Sequence, residues 1–171
     1  GKACQPDEGD DPVGDLIYPI YVNYAGGFLG GMYVSIKWSN KRSLHYFIKD
    51  PKKGDKLNPI ADEACPHKSK VAIAQSKIYA VGDTGEDGIG ESDTVRYSAT
   101  ANYLEGDGDE PVWTKTNDAG FLPTGDRSLG NSAATGLGVV SNRLVVFHED
   151  ACQIWAVDPD PARNELEEQV A

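Results

Sequence analysis

The chain predicts an all-β fold: mostly antiparallel sheets in a meander, with long glycine-rich and acidic loops and little helix. Three observations carry that expectation. Short apolar runs alternate with turn residues, and 19 Gly and 10 Pro stand against a single Met in 171 residues. Gly138–Leu166 reads as strand, turn, strand, tight turn, strand: Val139-Val140, a polar turn at Ser141-Asn142, the run Leu144–Phe147, a break at His148–Asp150, then alternation over Cys152–Val157 until Asp158-Pro159. The same stretch is echoed twice. Val71–Asp83 repeats its first half, with Gln75-Ser76 as the turn, and Ser43–Leu57 repeats its second half.

Taken in order, residues 1–15 are acidic and rich in Gly and Pro, and read as an extended lead whose first residues look like a mature or trimmed terminus. Leu16–Tyr24 is dense in Ile, Val and Tyr. Pro19 within it cannot donate a ladder hydrogen bond, which makes it an edge or bulged strand. Ala25–Gly31 reads as a glycine turn, Met32–Trp38 as a half-buried strand and Ser43–Lys49 as its hairpin partner. Asp50–Pro66 is a connection with at most a helical turn at Ile60–Ala64, and Val71–Val81 holds the next strand pair. Gly82–Asp93 and Glu105–Glu110 are acidic loops. Thr94–Leu104 and Pro111–Thr116 read as strands. Asn117–Gly136 carries no assignable pattern, and a loop of that length in a domain is usually functional or mobile. The reading is one domain over residues 16–162, with a tail at 163–171.

Charge is informative by its distribution. The net charge is −11, but residues 37–77 hold ten Lys or Arg against four acids, and residues 78–171 hold five against eighteen. The acidic majority argues against nucleic acid as the main ligand, since phosphates need a dominant basic face. No apolar run approaches the ~20 residues of a membrane helix. A chain basic in one region and acidic in another attracts copies of itself, provided the fold does not interleave the two. On that reading Lys41, Arg42, Lys52, Lys53 and Lys56 face the acidic loops of a neighbour at Asp107 and Asp109.

The cysteines are Cys4, Cys65 and Cys152. In an exported protein one disulfide and one spare thiol is the simplest arithmetic, with Cys65–Cys152 preferred because both lie within the body; three reduced thiols is the cytosolic alternative. Gly82–Thr94, GDTGEDGIGESDT, is the sharpest metal candidate. Calcium takes six to eight oxygen ligands, and Asp83, Glu86, Asp87, Glu91 and Asp93 supply carboxylates among turn-forming glycines. The spacing departs from a helix-loop-helix calcium loop, and a solvated acidic loop is the alternative. Cys65-Pro66-His67 lacks the second half of a cluster site, and His45, His67 and His148 are scattered. No constellation of catalytic residues assembles. The aromatics Tyr18, Tyr21, Tyr24, Tyr33, Trp38, Tyr46 and Phe47 concentrate in the first third among the basic residues, as a glycan- or single-stranded nucleic-acid-binding surface or as core and cross-strand pairs.

KIYAVGDTGEDG (Lys77–Gly88) and RLVVFHEDACQIWAVDPD (Arg143–Asp160) resemble strand-turn units of quinoprotein-type β-propellers, the domain type also found in adhesins at the tip of type IV pili. The blade Trp-Asp signature is missing, and Cys152 replaces the usual turn glycine. The resemblance implies blades of ~40 residues. With the charge pattern it leads to an expected role as a non-enzymatic, exported subunit of a cell-surface filament or pilus-associated structure, periplasmic or extracellular, acting in assembly or adhesion through self-association or contact with other subunits. Calcium is the one cofactor expected. The rivals are a small carbohydrate- or ligand-binding module, and an enzyme or electron-transfer accessory domain with its own cofactor.

Overall fold

The structure is a computed structural model; it describes residues 17–39, 43–54, 57–67, 70–82, 94–100, 104–105, 110–114, 118–124 and 132–171. Its strands are β1 (Pro19–Phe28), β2 (Gly31–Trp38), β3 (Ser43–Ile48), β4 (Asn58–Pro59), β5 (Val71–Ala74), β6 (Lys77–Val81), β7 (Val95–Tyr97), β8 (Leu104–Glu105), β9 (Glu110–Pro111), β10 (Gly120–Leu122), β11 (Ala134–Val140), β12 (Arg143–His148), β13 (Cys152–Ala156) and β14 (Glu165–Val170). They form three four-stranded sheets: β1-β2-β3-β4, then β5-β6-β7-β10, then β11-β12-β13-β14. Every pairing is antiparallel, so the all-β, mostly antiparallel expectation holds. The pair β8-β9 is inserted between β7 and β10.

The three sheets repeat one plan. Each begins with a hairpin closed by two residues, both at positive φ: Leu29-Gly30 (52° and 76°), Gln75-Ser76 (48° and 61°) and Ser141-Asn142 (48° and 64°). This is the type I′ geometry, whose twist matches that of the flanking strands. The first and third sheets also share their last connection. Asp50 and Asp160 each accept a hydrogen bond at 3.1 Å from the backbone N–H two residues on, with Pro51 or Pro161 opening a single 3-10 turn. A basic residue closes each turn on its own aspartate: Lys53 on Asp50 at 3.2 Å and Arg163 on Asp160 at 3.6 Å. The echo between Ser43–Leu57 and Cys152–Leu166 is therefore a shared turn.

The middle sheet is buried on both faces, which explains why β5 and β6 read as nearly unbroken apolar runs. Alternation sends Val71, Ile78 and Ala80 toward Phe28, Tyr33 and Phe47 of the first sheet. The intervening Ala72, Ala74, Tyr79 and Val81 pack against Leu144, Val146 and Trp155 of the third. The far face of the first sheet is closed too: Ile17 and Leu57 pack with Val34, Ile36, Trp38 and Tyr46. Several polar groups drawn into these layers are paired, although the buried Tyr79 hydroxyl has no hydrogen-bond partner among the described residues. Trp38 Nε1 donates to the Tyr46 hydroxyl at 2.9 Å. Gln153, fully buried, donates from Nε2 to Thr124 O at 3.0 Å and accepts from Trp155 Nε1 at 3.0 Å. Lys77 Nζ donates to Asp118 O at 2.6 Å and lies 4.8 Å from the Tyr97 ring centroid.

Several local expectations are corrected. β1 runs on through Gly26 and Gly27 to Phe28, so the turn shrinks to Leu29-Gly30. Gly31 enters β2, where a Cβ would lie 2.3 Å from Ile48 O; only glycine lets β3 approach so closely. Trp113 follows the two-residue β9 and lies outside any strand. Ile60–Ala64 is not helical. The unassigned stretch contributes β10 and the start of β11, and most of the expected tail is β14, paired antiparallel with β13 across one register shift at Ile154/Trp155. Pro19 does sit on an edge strand, beside register shifts at Pro19/Tyr21 and Val22/Tyr24.

Candidate functional site

The first strands of the three sheets converge. β5 lies against β11 and, less extensively, against β1. Tyr21, Val22 and Asn23 of β1, Lys70 and Val71 at β5, and Gly136 and Leu137 of β11 line a shared groove of about 430 Å³. Asn23 is held there by its carboxamide, which donates to the hydroxyls of Ser35 (3.4 Å) and Ser43 (3.2 Å). β1 is an edge strand, and Tyr18, Ile20, Tyr21 and Val22 are each more than half exposed. Lys37 stands opposite Tyr21 in the ladder, and Lys70 shares the groove with it. A strand that is the edge of its sheet among the described residues, with four exposed apolar residues at its start, is suited to pairing with another chain.

The second surface is the outer face of the third sheet. Alternation and register put Val140, Arg143, Val145, Phe147, Cys152 and Ile154 on it. The Phe147 ring covers Gly136 and Gly138, where added Cβ atoms would each lie 3.5 Å from it. Val140, Phe147 and Val170 are each 46% exposed or more. Glu165, opposite Ala156, and Glu168, opposite Ile154, make the β14 side acidic. Arg143 is bound on that side by Glu167, with Nη2 to Oε1 at 3.0 Å, which raises the guanidinium pKa and lowers that of the carboxyl.

A third cluster holds nucleophile and base types, but it is sealed. The Tyr33 hydroxyl lies 2.6 Å from His45 Nδ1, and the His45 ring meets Trp113 edge-on at 6.2 Å. Cys65 packs in the same core. Burial pushes the Cys65 thiol well up, with Asp62 and Glu110 adding to the shift against the Tyr33 hydrogen bond. Burial likewise raises Tyr33. A thiolate is the reactive form, so this geometry keeps the sulfur protonated and out of reach of solvent. Asp62 ties the cluster down. Its carboxylate accepts from the N–H groups of Ala64 (2.9 Å), Trp113 (2.7 Å) and Thr114 (2.8 Å), and from the Thr114 hydroxyl (2.8 Å). Burial would raise its pKa, but these four donors outweigh that and the net shift is downward.

The expected bridge between Cys65 and Cys152 is not formed; both thiols are free. The physical reason is the layering. Cys65 sits in the core between the first and middle sheets, while Cys152 faces outward from the third. The expected calcium ligands Asp83, Glu86, Asp87, Glu91 and Asp93 lie outside the described residues, as do Lys41, Arg42, Lys56, Asp107 and Asp109. Among the described residues no three His, Cys, Asp or Glu side chains are grouped as a metal site, and no helix is long and apolar enough to cross a membrane. Lys52 and Lys53 are exposed between β3 and β4. They lie at the other end of the first sheet from Tyr18–Val22, because Ile48 pairs with Met32 whereas Tyr21 pairs with Lys37. Of the early aromatics, Tyr33, Trp38, Tyr46 and Phe47 are core, while Tyr18 and Tyr21 are exposed.

Sequence reasoning missed Phe147, Val140, Lys37 and Lys70 as surface candidates. Phe147 had a readable signal: it alternates with Val146 in β12 and lies across from glycines. Compared with protein-family models, with curated proteins and with solved structures, the chain matches none.

Proposed function

We propose that this chain is a non-enzymatic assembly module of an exported cell-surface structure, working through contacts between copies or with other subunits in filament assembly or adhesion. One observation carries the reading: two surfaces with apolar side chains exposed among the described residues and of opposite electrostatic setting, one at the start of β1 and one on the outer face of the third sheet. In the described part of residues 17–59, four lysines stand against one aspartate, a net +3; in residues 132–171, two arginines stand against seven carboxylates, a net −5. The middle sheet lies between these two parts, so the charges are segregated at the level of sheets as well as of sequence.

Three successive four-stranded meanders with their first strands along one groove support the resemblance to blades of a quinoprotein-type propeller, and through it the pilus-associated setting. Calcium binding by residues 83–93 belongs to the same proposal; chelation would then lower the melting temperature and added calcium restore it. The test of the main reading is native mass against concentration and salt. Concentration-dependent oligomers at low salt that dissociate at ~1 M, where the Debye length falls to ~3 Å, support it. A monomer under all these conditions, alone and with candidate surface subunits, overturns it.

A second reading has its own observation. A cavity of about 380 Å³ between the middle and third sheets is walled by Tyr97, Phe121, Pro123, Trp155 and Leu166, with Asn164 and Glu165 beside them. That is within the size range of small-ligand sites. Titration with a panel of neutral saccharides, followed by tryptophan fluorescence, tests the ligand-binding alternative.

A further inference from the structure

We infer that the outer face of the third sheet is the seat for the β1 stretch Tyr18–Val22 of a second copy, so that copies join head to tail. The inference rests on the assembly reading and specifies its joint. The two ends of the three-sheet array differ. The far face of the first sheet is already covered by Ile17 and Leu57, whereas the far face of the third presents Val140, Phe147 and Val170 to solvent. The complementary exposed apolar stretch is Tyr18, just before β1, with Ile20, Tyr21 and Val22 on it; among the described residues β1 is the edge strand of its sheet.

Charge selects how these surfaces pair. Lys37 and Lys70 accompany the β1 stretch, and Glu165 and Glu168 flank the receiving face along β14. Joining two β1 stretches would bring lysines together; joining two third-sheet faces would bring the glutamates together. Joining unlike surfaces places lysine by glutamate, and like-charge juxtaposition at an interface is costly. The contact is therefore heterologous, and a heterologous contact propagates into a ring or an open filament instead of stopping at a dimer. Apolar burial by Phe147 and its neighbours supplies adhesion, while the rim charges fix orientation and speed encounter.

Cys152 faces outward on the receiving sheet opposite Phe147, and is a native probe of the joint. In a C4S background, I20C puts a second thiol on β1, while Cys65 is buried. Mild oxidation at low salt should then give a ladder of dimers, trimers and longer species linked between position 20 and Cys152, identified by peptide mapping. F147E should weaken association by about tenfold or more, as for removal of an interface anchor, with near-UV circular dichroism unchanged. K37E and E168K should each weaken it, and the double variant K37E/E168K should recover much of the loss. Dimers without a ladder, linked Cys152 to Cys152, overturn this joint in favour of a symmetric one. Association that persists unchanged in F147E and K37E overturns the joint and leaves the assembly reading standing. A chain that never self-associates overturns this joint, and one that also stays monomeric with candidate surface subunits overturns the assembly reading as well.

Discussion

Gln153 is the residue whose replacement tests the packing of the third sheet most directly. Its side chain is fully buried and bridges three partners: Nε2 donates to Thr124 O at 3.0 Å and to Gln169 Oε1 at 3.4 Å, and Oε1 accepts from Trp155 Nε1 at 3.0 Å. Gln153→Met keeps the length and much of the volume but removes every polar contact. The 3.4 Å bond is long, so little is assigned to it. The Trp155 N–H loses its partner and the Thr124 carbonyl loses one donor; an orphaned buried polar group costs about 1–3 kcal/mol and a lost hydrogen bond about 0.5–1.5 kcal/mol. The expected loss is therefore about 2–4 kcal/mol, a large share of the ~5–15 kcal/mol that holds a typical domain. Urea unfolding followed by tryptophan fluorescence measures it, with the m-value expected to stay constant. Trp155→Phe removes the stranded donor, so in the Gln153→Met background it should cost less than in the parent by about 1 kcal/mol. A Gln153→Met loss below ~0.5 kcal/mol, or strictly additive single changes, would refute the reasoning that this amide welds the third sheet to the chain after β10.

Two further outcomes follow from the sealed cluster. The Asp62 carboxyl is held below its ordinary value of 3.8 by its four donors, so its contribution is present above that value and lost as pH falls through the lower, folded pKa. Asp62→Asn should accordingly cost about 1–2 kcal/mol at neutral pH after allowance for partial exposure, and the gap from the parent should close in acid; a gap that is independent of pH contradicts the assignment. In a Cys4→Ser background, maleimide should modify Cys152 in the native state and reach Cys65 only on opening of the core, at a rate lower by about a hundredfold or more; equal labelling rates would mean that the Cys65 site is not sealed.

Local chemistry dictates the strands and their turns wherever the residue pattern is periodic. Val71–Val81 and Val139–Phe147 are each built around a two-residue turn, and both appear as hairpins because Gln75-Ser76 and Ser141-Asn142 adopt the left-handed backbone that such turns demand. The Asp-Pro turns were equally legible, since an aspartate capping the backbone two residues on is a local interaction. The first hairpin was misplaced because glycine reads as turn whether or not it is one, and only the approach of Ile48 O to Gly31 explains a glycine inside β2. β10 and β14 escaped notice for a related reason. Gly120–Leu122 is too short to display a period, and Glu165–Val170 is too charged to read as a strand; partners from β7 and β13 hold them. The candidate surfaces were the least legible. Cys65 and Cys152 are both ordinary positions in the sequence, and it is the layering of three sheets that buries one and turns the other outward. Likewise, nothing local distinguishes Tyr18 from Tyr33. Which is core and which is surface depends on what packs across from each, a contact between residues distant in the chain that only the tertiary structure decides.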